Sequence, residues 1–307
     1  MSGTSKTNTL PILKRHTIHS DSQPRINGIS YLQRDSEQHA PKLHFAHATG
    51  FNGQTYSPLF AQIDPGISIY AMDMRGHGQS NAPANPNKLH SWHTYEKDLI
   101  AFIDQLGEPL FLAGHSIGAA VSIAAAAARP EQVKGLILLE PVILPPAMNL
   151  FMTTAKALKL GHKLPIAEGA KNRTARFPSK AAAIKRYTGR GAFKSWPEEW
   201  IRNYVEGGTK ESKEGLELSC KPEWEAKTFS VTSHQPWQAI KKLQCPVTLL
   251  KGKNGSTCMM GSLNKMKALH PHNTYQVFND ASHFLPMEYT DICAKEINQF
   301  ILSRAIG

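Results

Sequence analysis

Gly114-His115-Ser116-Ile117-Gly118 sets a serine between two glycines. An apolar, strand-like run (110–113) precedes it, and an alanine-rich, helix-like run (119–128) follows with almost no loop between. G-x-S-x-G in that setting makes a sharp strand-to-helix turn with a serine hydroxyl exposed at its apex. The glycines let the backbone turn and let the helix pack close. The helix N-terminus brings positive potential beside Ser116. The Ile117 N–H would face negative charge developing on a substrate oxygen. Serine at its ordinary pKa is a poor nucleophile, so it needs a base, and the base needs a carboxylate to fix its tautomer.

The elements that must position such a group are legible as an alternation. Strand-like runs occupy 29–33, 43–46, 67–72, 110–113, Val133–Leu139, 247–250 and Thr274–Phe278. Helix-like runs lie between several of them. Trp92, Tyr95, Leu99, Phe102 and Leu106 step by three and four along one helix face, and Ile297, Phe300 and Ile301 do so near the C-terminus. This pattern implies a mostly parallel sheet with helices on both faces. The alternation stops over 141–243, which reads as a helical insert capping the sheet edge after the sixth strand. The chain thus divides into a core (1–140 and 244–307) and a cap (141–243).

Composition narrows the classes. With 307 residues and 41% hydrophobic content, the chain can bury a large α/β core. No apolar run approaches the roughly 18 residues that cross a bilayer. The first 27 residues are polar, without a signal-type apolar stretch, and residues 1–10 read as mobile. Cys220, Cys245, Cys258 and Cys293 lack metal-ligand spacing, which suits a reduced, cytoplasmic protein with no metal site. The formal net charge is +11, and residues 151–213 hold 14 Lys and Arg against 5 Glu and no Asp. A solvated helical face explains that excess, as does attraction of an acidic substrate or an anionic surface. No nucleic-acid motif accompanies it, so neither nucleic acid nor stable membrane insertion is expected. Composition leaves the oligomeric state open.

With the Ser116 motif in place, three further stretches make the chain similar to the α/β-hydrolase superfamily. His47-Ala48-Thr49-Gly50-Phe51 matches the loop that supplies the second oxyanion N–H, and by position the donor falls on Thr49. Asp73-Met74-Arg75-Gly76-His77-Gly78-Gln79-Ser80 looks like the family's structural D-x-R-G-x-G-x-S loop, which makes His77 a packing histidine. His283, one of fourteen histidines, follows the last strand-like run and precedes the last helix-like run, the family's place for the base. The resemblance covers 29–139 and 247–301 well and the cap poorly.

The family most often carries its acid after the seventh strand. Here that loop reads Gly252-Lys253-Asn254-Gly255-Ser256-Thr257, without a carboxylate. Glu140, which ends the sixth strand-like run, is the replacement, and some relatives carry the acid there. Pro141 biases Glu140 toward an extended backbone. Asp280, three residues before His283, is the rival. Relatives that open epoxides or remove halide use aspartate at the turn, so a serine there points to acyl transfer.

The resemblance therefore implies a serine hydrolase of carboxylic esters, lactones or thioesters, needing no cofactor. Another activity of the same triad (acyl transfer, carbon–carbon hydrolysis or perhydrolysis) stands second, and a ligand-binding protein on a hydrolase fold third. Trp196, Trp200 and Tyr204, spaced by four, either line a substrate pocket or pack the cap onto the core. A closed cap implies a small-molecule substrate, a short-to-medium or ring-shaped apolar ester.

Overall fold

Apolar runs such as 110–113 and 133–139 lack a polar face, so each must be covered on both sides. A computed structural model describes residues 13–158, 160–232 and 236–305 and shows how this is met. Residues 1–10, read above as mobile, lie outside the described residues.

The first half of the chain forms β1 (Lys14–Thr17), β2 (Ser30–Arg34), β3 (Lys42–Ala46), α1 (Ser57–Phe60), β4 (Ser68–Met72), α2 (His93–Leu106), β5 (Leu110–His115), α3 (Ile117–Ala128) and β6 (Val133–Leu139). The segment after β6 holds α4 (Pro146–Ala157), α5 (Pro165–Lys171), β7 (Arg176–Phe177), α6 (Lys180–Tyr187), α7 (Glu198–Gly208), β8 (Thr209–Ser212), β9 (Gly215–Leu218), α8 (Pro222–Ser230) and α9 (Pro236–Ile240). The chain then returns as β10 (Val247–Gly252), α10 (Met260–Leu269), β11 (Thr274–Phe278), α11 (Leu285–Glu288) and α12 (Thr290–Ala305).

One eight-stranded sheet runs in the order β1-β2-β4-β3-β5-β6-β10-β11. The β1–β2 and β2–β4 pairs are antiparallel and the rest parallel. β6 shows how both faces are covered. Leu136 and Leu138 pack with Leu99 and Ile103 of α2 and Ile123 of α3. Ile137 and Leu139 pack with Leu59 of α1 and Phe300 of α12. Each such side chain contributes about 1.5–3 kcal/mol of transfer free energy. The parallel strands end on one edge, where loop residues from β5, β6, β10 and β11 meet.

Two features differ from the sequence reading. The sheet gains an edge strand, β1, whose Lys-Arg-His-Thr carries no apolar alternation. The 141–243 segment is not purely helical, because β7, β9 and β8 form a small antiparallel sheet. Its strands are only two to four residues long, too short for the alternation of Leu216 and Leu218 in β9 to stand out as a strand.

The core also encloses four imidazoles. His44, His47, His77 and His115 are buried. Burial pushes His44 and His77 down to about 3, His47 down to about 4 and His115 well below the ordinary range. All four are therefore neutral in the folded chain at neutral pH. Above pH about 6.5 the unfolded chain keeps them neutral too, so they add no pH dependence. Below it, the unfolded chain binds protons that the folded chain refuses, and stability falls at about 1.4 kcal/mol per pH unit for each histidine fully protonated on unfolding. Unfolding followed from pH 7.5 to 5 should show a steep, progressive loss of stability with multiple proton uptake. A melting temperature flat across that interval would contradict the neutral assignment.

Candidate active site

β5 delivers Ser116 to the sheet edge in a strained turn. Its φ is 58° and its ψ −120°. A non-glycine residue held at positive φ costs about 1–3 kcal/mol, which the surroundings must offset. They do so through the Ser116 N–H, which donates to Leu139 O at 3.1 Å, and the Ser116 carbonyl, which accepts from Ala120 N (3.2 Å) and Val142 N (3.3 Å). Gly118 permits the turn in another way: any Cβ there would collide with the Ala46 carbonyl of β3.

Three elements converge on the Ser116 hydroxyl. Ser116 Oγ lies 3.0 Å from His283 Nε2, and His283 Nδ1 lies 3.2 Å from Glu140 Oε2. The buried carboxylate accepts at Oε2, so Nδ1 carries the imidazole proton and Nε2 is left to accept from Ser116. Glu140 Oε1 takes the Gly252 N–H of β10. Glu140 is fully buried, and its N–H donates to Leu250 O at 2.8 Å. Its backbone is not extended as Pro141 suggested. Its φ is 47°, because these bonds to β10 turn the residue back toward His283. Asp280 is exposed, and among the described residues nothing joins it to His283.

The sequence reading missed Thr257. It stands in the loop after β10, where no carboxylate was found. Its hydroxyl donates to Pro141 O at 3.1 Å and lies 3.4 Å from His283 Nδ1. His115, to which the sequence assigned no role, also has a structural place. Its Nε2–H donates to the His283 carbonyl at 2.8 Å, and its Nδ1 accepts from Tyr56 Oη at 2.7 Å. Tyr56 Oη in turn accepts the Ala48 N–H at 3.1 Å. This chain links the His283 loop to the loop after β3.

That loop is held from its other side by His47. Its Nδ1–H donates to Ala48 O at 2.7 Å, while Nε2 accepts Met74 N–H at 2.8 Å. Ala48 C=O and Thr49 N–H belong to one trans peptide and point opposite ways. His47 therefore sets the direction of the Thr49 N–H. Thr49 lines the cavity beside Ser116, as does Ile117. Ile117 opens α3, so its N–H has no acceptor one turn back in the helix. The Asp73 loop is structural as expected: the carboxylate takes the N–H of Gly53 (2.7 Å) and Gln79 (2.9 Å) and pairs with Arg15 (2.6 Å).

A cavity of about 900 Å³ opens onto Ser116 and His283. Phe51, Val142, Leu144, Met152, Tyr187 and Phe193 give it a largely apolar lining. A part-buried ion pair in its wall, Arg173 to Glu225 at 2.6 Å, is internally compensated and braced by the Tyr204 hydroxyl. Trp196, Trp200 and Tyr204 do not line the cavity. Trp200 packs edge-on to Tyr56, and Trp196 and Tyr204 pack edge-on to Phe51. Trp200 and Tyr204 share a face of α7, while Trp196 lies two residues before the helix, and together they fix this segment to the core. The aromatic lining comes instead from Phe51, Trp92, Tyr187, Phe193, Phe229 and Phe284.

A parallel sheet with a serine turn at its carboxyl edge, a histidine loop after its last strand and a cavity between defines an α/β-hydrolase architecture. The comparisons agree. The family model described as serine aminopeptidase, S33, matches residues 37–188. The 2-(acetamidomethylene)succinate hydrolase of Mesorhizobium japonicum is 24% identical over 264 residues, 85% of this chain and 88% of that one. Human monoglyceride lipase is 32% identical over 125 residues, 38% of this chain and 40% of its own length. A crystal structure of E-2-(acetamidomethylene)succinate hydrolase superposes with a TM-score of 0.74 at 21% identity, covering 95% of this chain and 99% of that one. The chain has the α/β-hydrolase fold, and its matches support a place in the α/β-hydrolase superfamily.

The two carboxylates considered for His283 make different predictions. Glu140→Gln should lower kcat for p-nitrophenyl acetate by roughly 10²–10⁴, because an amide cannot hold the imidazolium that forms. Asp280→Asn should change kcat by no more than about twofold, as expected of an exposed group away from the reaction. The opposite ranking would assign the acid to Asp280.

Proposed function

We propose that the protein hydrolyses carboxylic esters through Ser116, His283 and Glu140. The observation that carries this reading is the continuous contact from Ser116 Oγ to His283 Nε2 (3.0 Å) and from His283 Nδ1 to Glu140 Oε2 (3.2 Å), at the wall of an apolar cavity. Ser116 Oγ attacks the ester carbonyl as His283 Nε2 takes its proton. Glu140 stabilises the resulting imidazolium. The tetrahedral oxyanion receives the N–H groups of Ile117 and Thr49. His283 returns the proton to the departing alcohol, and water, activated by the same imidazole, releases the acid. Lactones and thioesters would react by the same steps. The 141–243 segment acts as the cap, since its side chains close the cavity over the sheet edge. The thiols are free, which supports a reducing, cytoplasmic setting.

A second reading, cleavage of another bond by the same side chains, is supported by the likeness to the 2-(acetamidomethylene)succinate hydrolase over most of both chains. Turnover of that compound, with simple esters inert, would favour it.

The apolar lining predicts the acyl preference. Each methylene buried is worth about 0.8 kcal/mol, or roughly fourfold in kcat/KM if fully realised. Across p-nitrophenyl esters from C2 to C12, kcat/KM should rise over the first several carbons. Ser116→Ala should abolish turnover of every member, a loss on the order of 10⁴ or more. A profile independent of chain length would contradict the acyl-pocket reading, and retained turnover in Ser116→Ala would contradict the nucleophile.

A further inference from the structure

Large apolar side chains are exposed where the chain leaves the core. Leu150 is 69% exposed, Phe151 66%, Leu158 64% and Ile166 57%, all on or between α4 and α5. Met148 and Leu160 add to the same stretch. Isolated exposed leucines are ordinary, but a run of six within nineteen residues is a surface that water solvates poorly. This face is continuous with the cavity: Met148 and Ile166 are both exposed and line it.

The same stretch concentrates the chain's charge. From Pro146 to Arg190 there are ten Lys and Arg against one Glu, with no Asp. Lys163, Lys171 and Lys185 are exposed, and exposed Arg186 and Arg190 stand at the cavity with Met148 and Ile166. Bare apolar side chains flanked by cations match the boundary between acyl chains and anionic headgroups. A second copy of the chain fits poorly, because it would set this positive excess against itself.

We propose that the α4–α5 face docks on an anionic lipid surface, with the mouth of the cavity turned toward it. Leu150, Phe151 and Leu158 enter the acyl boundary, and the lysines meet phosphate. That an amphiphilic ester passes from the lipid into the cavity rests on the ester-hydrolase reading; the docking itself does not.

The test is co-sedimentation of the full chain with vesicles of phosphatidylglycerol or of phosphatidylcholine. Binding should be about tenfold or more tighter to phosphatidylglycerol, and should weaken as salt is raised from about 0.02 M to about 0.5 M. Leu150→Ser with Phe151→Ser, and separately Lys163→Glu with Lys171→Glu, should each cut binding about tenfold or more while leaving the melting temperature unchanged. Equal binding to both vesicles, or wild-type affinity in both variants, would overturn the proposal. So would a wild-type dimer that the Leu150→Ser, Phe151→Ser variant disperses, in a protein that binds neither vesicle. Sedimentation needs no turnover, so a failure of docking is distinguishable from a failure of the ester assay.

Discussion

The structure depends on the turn at Ser116. A strand must end and a helix begin without a loop, so the serine is forced to positive φ and α3 is pressed against β3. Neither is favourable by itself. Both persist because the parallel sheet surrounds the turn, with β6 accepting the Ser116 N–H through Leu139. Glu140 leaves that same strand one residue later and is also at positive φ. Two strained residues on neighbouring strands thus have their side chains brought to one imidazole, with β10 holding the second of them in place.

Neutral histidines hold the loops around this turn. His47 holds the Ala48 C=O and the Tyr56–His115 pair holds the Ala48 N–H, and His115 also holds the carbonyl of His283. Each bond requires a defined tautomer, which burial secures by suppressing protonation. The arrangement that orients the site is therefore the same one that makes the folded chain sensitive to acid.

Much of this was legible in the sequence because it is local. Strand apolarity, the three-four spacing of α2 and the glycines around Ser116 are properties of short stretches. Glu140 was reached through the resemblance, since the family's usual place for the acid after β10 holds no carboxylate, but its backbone was not, because bonds to Leu250 and Gly252 from another strand override the preference set by Pro141. His115 carried no signal: its partners lie 59 and 168 residues away. The spacing of Trp200 and Tyr204 marks a shared face of α7 but not its neighbour, which tertiary packing alone decides, and Trp196 falls outside the helix. The strands of the small sheet were hidden by their shortness, two to four residues each.

The central claim is that Ser116 alone among the serines is activated. The most direct measurement is mass spectrometry of peptides from the protein after reaction with a fluorophosphonate. The account predicts a single adduct, on the peptide that carries Ser116, formed much more slowly when His283 is replaced by alanine. An adduct on another serine, or labelling of Ser116 that is indifferent to His283, would contradict it.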